Sequence, residues 1–232
     1  MRKIALALFV VLVTALAGYA QNCTMTTLNN YLGSGFTCEI NDQTYSSFTY
    51  AGTSNPPGFG IPAGGVQVTP ITTANDPGLQ FNAGWGVGTQ LGILEQDSEF
   101  SWTVNSTSLI TDLSLSIAGV GFTGTGAINL DETACLGAVL PSCTGGTIVT
   151  LSVFDSSAGS QLFDEITFAG VHEISVEKDL LVQSGTNGTA EVSVITDQFS
   201  EGTSSVPEPG TLSMMGLGVV ALAGFARRKF NL

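Results

Sequence analysis

From Tyr45 to Phe199 the chain repeatedly alternates apolar residues with small polar ones. The alternation is clearest over residues 100–104, 113–117, 149–153 and 192–194. A period of two residues is typical of strands that bury one face. Weaker strand candidates lie at 47–50, 66–71, 79–81, 127–130, 172–176 and 180–183. The pattern therefore predicts about ten short strands.

Turn-forming residues separate these strands, at 55–58, 75–78, 121–126 and 185–188. They supply the positive or fixed φ angles that tight reversals need. A short N-terminal helix is predicted over residues 24–32, packed by Met25, Leu28 and Leu32. Since no other part of the body shows a helical period, we predict an all-β fold: a single antiparallel, jelly-roll-like β-sandwich over residues 21–200.

The N-terminal segment has the features of a secretory signal peptide. An apolar stretch over residues 4–17 follows Arg2 and Lys3, and Gly18 and Ala20 place small residues before a cleavage point. As a helix the stretch would span about 21 Å, which is shorter than a hydrocarbon layer of about 30 Å. We therefore expect signal peptidase to remove residues 1–20.

The C-terminal segment combines an extended motif, an apolar stretch and a cationic cluster. A polar linker at 201–206 leads into the motif formed by Val206, Pro207, Glu208 and Pro209. Its prolines disfavour a helix at that point. A short transmembrane helix is predicted at 211–226, and about 24 Å of helix makes it a marginal permanent anchor. The positive-inside rule assigns the cytoplasmic side to Arg227, Arg228 and Lys229.

In this order the three features resemble the PEP-CTERM sorting signal, over residues 207–232. The resemblance implies cleavage near the motif by an exosortase, in a Gram-negative bacterium that exports polysaccharide. It also implies a precursor anchored transiently in the inner membrane and a mature body at the cell surface or outside the cell. The alternative is an ordinary single-pass anchor with a proline-rich stem. The body also resembles uncharacterised bodies found with this tail, which implies no particular activity.

Charge narrows the range of partners. Between Gln21 and Val206 there are 18 acidic residues and one basic residue, Lys178, which gives a formal charge of −17. Such a body repels nucleic acid and anionic lipid. Divalent cations and neutral glycans stay open as partners, although solubility alone accounts for the acidity.

Four cysteines lie in the exported part: Cys23, Cys38, Cys135 and Cys143. An even number in an oxidising compartment predicts disulfides. Of the three possible pairings, loop closure favours Cys23 with Cys38 and Cys135 with Cys143. A metal site is disfavoured because there is no Cys-x-x-Cys and the single histidine, His172, is far along the chain. We expect no metal and no cofactor.

No catalytic motif is visible in the sequence. There is no Gly-x-Ser-x-Gly elbow, and His172 alternates with Ile174 and Val176 as a strand residue at a core edge. An acid pair for glycoside hydrolysis stays open because carboxyls are abundant. Calcium is a weaker alternative for Glu95, Asp97 and Glu99, which share one face of an extended segment. We therefore expect a non-catalytic protein.

Carbohydrate binding is the alternative function, either as a binding module or as a glycan-active enzyme exported by the same route. It needs an aromatic platform. Trp85 is the candidate, because it lies in a glycine-rich segment at 82–86, whereas Trp102 alternates with core residues. Packing in the core remains the favoured role for Trp85. An extracellular polysaccharide is the expected ligand class if binding occurs.

Overall fold

The computed structural model describes residues 21–202; the predicted signal peptide, most of the linker and the helix at 211–226 lie outside that range. Thirteen strands make up one hydrogen-bonded network. They are β1 (Gln21–Asn22), β2 (Thr26–Thr27), β3 (Thr37–Ile40), β4 (Gln43–Asn55), β5 (Gln67–Ile71), β6 (Gly78–Gly88), β7 (Glu95–Ala118), β8 (Gly121–Thr123), β9 (Ala127–Leu136), β10 (Thr147–Ser156), β11 (Gly159–Gln161), β12 (Phe163–Gln183) and β13 (Thr189–Gln198). One α-helix, α1 (Leu28–Tyr31), and 3₁₀ turns at Ala63–Gly65 and Thr89–Leu91 complete the described structure. Within it, no helix is long and apolar enough to cross a membrane.

Two long antiparallel strands, β7 and β12, carry the network from one layer into the other. The first half of β7 pairs with β4 and with the second half of β12. Its last residues, 114–118, pair instead with β13. Beside the shared strands β7 and β12, one layer therefore contains β3, β4, β9, β10 and β11. The other layer contains β2, β5, β6 and β13. Register shifts between Thr167 and Glu173 mark where β12 bends against β7.

Aromatic side chains fill the space between the layers. Phe81 of β6 lies 5.2 Å from Phe100 and 5.1 Å from Trp102, both on β7, measured between ring centroids. All three are at most 2% exposed. Since β6 is not hydrogen-bonded to β7 in the strand order, these rings pack one layer on the other. The predicted all-β antiparallel sandwich is confirmed, with the two-residue β1–β3 pair as a parallel exception.

The four clearest alternating segments all fall within strands, two of them in the single long strand β7. The predicted helix at 24–32 is wrong in extent, because only Leu28–Tyr31 is helical. Thr26 and Thr27 instead pair with β5. Met25, which was expected to pack the helix, is 62% exposed.

Both disulfides link cysteines that are close in sequence, which are the pairs that loop closure favours. Cys23–Cys38 ties the beginning of the body to β3, with a sequence separation of 15. Cys135–Cys143 closes the connection between β9 and β10, with a separation of 8. Each such cross-link stabilises a folded domain by about 2–4 kcal/mol.

Candidate functional site

The end of the described body is held firmly against the sandwich. After β13, the Phe199 amide donates to the Pro77 carbonyl at 2.9 Å, and the Glu201 amide donates to the Asn75 carbonyl at 2.8 Å. The Gly202 amide donates to the Leu109 carbonyl at 3.0 Å. The chain is therefore fixed to the fold up to Gly202, the last described residue.

Side-chain contacts reinforce this end of the molecule. The Oε1 atom of Glu201 accepts hydrogen bonds from Gln43 and Ser106, each at 3.1 Å. Burial raises the pKa of Glu201, and its contact with Asp42 raises it further. Although burial alone would raise the pKa of Asp42 as well, hydrogen bonds from Glu201, Ser108 and Thr107 lower it to about 2. The hydrogen bonds that Glu201 accepts, together with its contact with Asp42, thus tie the C-terminal end to the beginning of β4.

A second polar cluster lies at the centre of the sandwich. It consists of Glu132 on β9, Lys178 on β12 and Asp197 on β13. Lys178 Nζ donates a hydrogen bond to Glu132 Oε2 and lies 3.2 Å from Asp197 Oδ2. All three side chains are 0% exposed. This cluster, the buried triad, is the only set of salt bridges within residues 21–202.

Apolar residues enclose the buried triad. Lys178 pairs across the sheet with Phe100, and its Nζ lies 5.4 Å from the centroid of the Trp102 ring. Asp197 pairs with Leu79 and Leu115. These neighbours are all at most 2% exposed. Water therefore has no contact with the triad, and charge there is poorly solvated.

The triad has more acid than base, which determines its protonation. Burial raises the pKa of Asp197 well above its usual value, and the neighbouring Glu132 raises it further, whereas Lys178 opposes both. Burial also raises the pKa of Glu132, against the opposing effect of Lys178. One lysine cannot neutralise two buried carboxylates, and the raised pKa of Asp197 favours its neutral form.

Residues 205–229, which begin three positions after the last described residue, match the family model of the PEP-CTERM protein-sorting motif. The chain carries a PEP-CTERM sorting motif. The match includes the predicted motif residues 206–209 and the predicted cytoplasmic residues 227–229, all of which lie outside the described residues. The PEP-CTERM motif marks the protein as one that is exported and targeted to exosortase at the membrane.

Solved structures with a similar arrangement of strands are distant. TmCBM61, in complex with beta-1,4-galactotriose, is 13% identical, with a TM-score of 0.33, over 67% of this chain and 90% of that one. The family 32 CBM of C. perfringens NanJ, in complex with galactose, is also 13% identical, with a TM-score of 0.24, over 65% and 93%. No curated protein matches the sequence.

The structure places Trp85 in the core. It belongs to β6, not to a loop, and is 1% exposed. Its indole nitrogen donates to Ser98 Oγ at 3.0 Å, and its ring meets the Phe100 ring edge-on at 6.1 Å. Because the ring is covered, it cannot serve as a platform for a sugar. Trp102 is equally buried, at 1% exposed, as its alternation predicts.

The acidic face predicted on β7 is present. Glu95, Asp97 and Glu99 occupy alternate positions of this strand, and Asp179 of β12 pairs with Glu99. Within residues 21–202, no three acidic, histidine or cysteine side chains cluster in a way that could hold a metal ion. Asp97 Oδ1 is buried without a hydrogen-bond partner. Burial, together with the charges of Asp179, Glu99 and Glu95, raises the pKa of Asp97 to about 6.

Asp97 is therefore expected to destabilise the protein at neutral pH. Since its pKa is about 6 in the fold against 3.8 in the unfolded chain, stability falls as pH rises through this window. The variant Asp97→Asn should raise Tm at about pH 8 and leave it nearly unchanged at about pH 4, where the native aspartate is already protonated. Thermal unfolding at both pH values measures this difference.

Glu165→Gln is the matched control, because it also removes one negative charge, from an exposed position on β12. It should change the free energy of unfolding by no more than a few tenths of a kcal/mol, so Tm should stay close to that of the parent at both pH values. An Asp97→Asn variant that is less stable at about pH 8 would contradict the account of this face.

His172 has a structural role in the fold. It lies in β12, is exposed, and its Nδ1 donates to the backbone carbonyls of Ser106 and Ser108, each at 3.1 Å. No carboxylate or hydroxyl side chain contacts the ring among the hydrogen bonds of the described residues. The residue thus holds β12 to the bend of β7.

The buried triad is the feature that sequence reasoning missed. A signal was present: Ile174, Val176, Lys178, Leu180 and Val182 occupy alternate positions of β12, and all are buried. A lone lysine in phase with four apolar residues indicates a buried cation. Its partners come from two other strands, and no pattern near Lys178 identifies them.

Proposed function

We propose that the protein is an exported, exosortase-processed and non-catalytic component of the cell surface or extracellular matrix of a polysaccharide-producing Gram-negative bacterium. The observation that carries the proposal is the position of the PEP-CTERM motif. The motif begins at residue 205, and backbone hydrogen bonds hold the chain to the folded body up to Gly202. Cleavage near the motif would separate an intact sandwich from its membrane tail.

In the proposed route, two proteases act on the chain. Signal peptidase removes residues 1–20, and the apolar segment at 211–226, which is predicted to be helical, holds the precursor in the inner membrane. Arg227, Arg228 and Lys229 are expected to keep the C-terminal end on the cytoplasmic side. Exosortase then cuts at or near Val206–Pro209, and the body reaches the surface or the medium.

The non-catalytic role is supported by the burial of the ionisable cluster. The buried triad is 0% exposed, so a diffusing substrate cannot reach it. His172 is engaged with backbone carbonyls and not with a nucleophile. A body of this kind acts by being present at the surface, as a structural or binding component.

An extracellular polysaccharide is the partner class that this setting favours. The charge of the body disfavours acidic glycans, so a neutral polysaccharide fits best. A dedicated carbohydrate-binding site would have to use residues other than Trp85, which is covered. We therefore place glycan binding second to the structural role.

Fractionation of the native host tests the proposed route. In a strain without exosortase, the protein should accumulate in the membrane fraction with its tail, whereas the parent strain should place the body at the surface or in the medium. An exported protein without the motif serves as the control, and its distribution between the fractions should be the same in both strains. An unchanged distribution in the strain without exosortase would overturn the proposal. Release of new reducing ends from the host polysaccharide by the purified protein would overturn the non-catalytic part.

A further inference from the structure

We propose that Lys178 and Asp197 become joined by an intramolecular amide bond, which the folded body forms by itself with Glu132 as the proton-transferring group. This inference goes beyond the proposed function. It starts from the convergence of three ionisable side chains, from β9, β12 and β13, in an otherwise apolar core. Lys178 is also the only basic residue between Gln21 and Val206.

The geometry places the amine against the carboxyl group that it would attack. Lys178 Nζ lies 3.2 Å from Asp197 Oδ2, yet both oxygens of Asp197 lack a hydrogen-bond partner within the described structure. The amine therefore lies within contact distance of this carboxyl group, while its hydrogen bond goes to Glu132. Holding two reactants together in this way corresponds to an effective concentration of about 10⁵–10⁸ M in well-oriented systems.

The protonation of the buried triad suits amide formation. An electrophilic carboxyl must be the neutral acid, and burial raises the pKa of Asp197, which favours that form. A nucleophilic amine must be uncharged, and Glu132 is in place to take a proton from Nζ. In an apolar environment the neutral acid and amine are favoured over the ion pair.

The chemical step is balanced without any further reactant. The Nζ lone pair attacks Cγ of Asp197, a carbon–nitrogen bond forms, and a carbon–oxygen bond of the carboxyl group breaks. The ammonium group loses two protons. One remains on Glu132, and the other passes through Glu132 to the departing hydroxyl group, which leaves as water. The products are a secondary amide, a protonated Glu132 and one water molecule, and no oxidant or reductant is needed.

The product would connect the two layers of the sandwich. β12 and β13 are not hydrogen-bonded neighbours, and neither disulfide joins them. β13 is also the last strand before the PEP-CTERM tail. An amide at Asp197 would therefore link β13, the last strand of the described body, to β12 in the centre of the fold. Exclusion of water would protect the bond from hydrolysis.

Mass spectrometry of the mature protein from its host tests the proposal. After full reduction, the intact mass should be lower than the calculated mass of the same chain by one water molecule. Protease digestion should give a branched peptide in which Lys178 is joined to Asp197. A reduced protein with no loss of water and a free Lys178 side chain would overturn the proposal. A branch from Lys178 to Glu132 would overturn the assigned roles.

Variants separate the roles of the three residues. Lys178→Met and Asp197→Ala should abolish the loss of water, and Glu132→Gln should slow cross-linking by about 100- to 10,000-fold because the general base is lost. Asp197→Asn should still cross-link, with release of ammonia in place of water. The matched control is Asp131→Asn, which changes the exposed neighbour of Glu132 on β9 and should leave cross-linking complete. Cross-linking of Glu132→Gln at the parental rate would contradict its role.

Discussion

Replacing Trp85 with alanine is expected to destabilise the body by about 3–5 kcal/mol, the cost of truncating a large buried aromatic residue. The side chain is 1% exposed and packs against Phe100. Its loss would also leave Ser98 without the indole donor. Urea unfolding of the purified body, followed by fluorescence and circular dichroism, gives the change in free energy from the shift of the midpoint.

Two variants serve as comparisons for Trp85→Ala. Trp85→Phe keeps most of the packing and should cost less. Phe163→Ala removes an aromatic side chain that is 55% exposed and should cost about 0.5 kcal/mol or less. An unchanged midpoint for Trp85→Ala, together with a loss of glycan binding, would show that the residue is a surface platform after all.

The second large effect concerns the PEP-CTERM motif. Changing Pro207 and Pro209 together to alanine should block processing, so that a precursor retaining its tail accumulates in the membrane. The physical reason is that proline cannot continue a helix, whereas alanine favours one. The adjacent chain could then extend the helix predicted at 211–226 through the site of cleavage. Immunoblotting of membrane and surface fractions, with intact masses, measures the ratio of precursor to mature protein.

The control for this variant is the change of Ser204 to alanine, which alters the linker and leaves the two prolines in place. It should be processed as the parent is. Normal processing of the double proline variant would contradict the requirement for an extended segment. Charge reversal at residues 227–229 provides an independent check and should impair retention of the precursor before cleavage.

Period-two alternation was sufficient to predict the class of the fold. Segments such as 149–153 and 192–194 alternate because one face of β10 and β13 is buried, and this holds wherever a strand lies on the core. The local disulfides followed from loop closure in the same way. The alternating strands and the local disulfides both depend on residues that are close in sequence, and so both could be predicted.

Trp85 shows where local patterns are insufficient. Its glycine neighbours suggested a loop, but a register shift opposite Ser193 places Trp85 opposite Val192 and Asn82 opposite Val194. This irregularity adds a residue to β6 and resets which side chains face the core. Its position depends on the pairing with β13, about a hundred residues later in the chain, which no alternation within β6 reveals.

The buried triad shows the same limit for the candidate chemistry. Lys178 was recognisable as the single cation of the body, but Glu132 and Asp197 were two of 18 carboxyls. Only the packing of the two layers selects them. The sorting motif is different, because an export signal is read as a linear sequence and can be recognised directly.

The intact mass of the protein isolated from its native host decides whether exosortase processes it. We predict a mature species that begins at Gln21 and lacks everything from about Val206 onward, as expected for removal of the signal peptide and cleavage at the PEP-CTERM motif. A terminal-peptide map assigns both ends independently of any internal cross-link. A mature species that still ends at Leu232 would contradict exosortase processing and would make the C-terminal segment an ordinary membrane anchor.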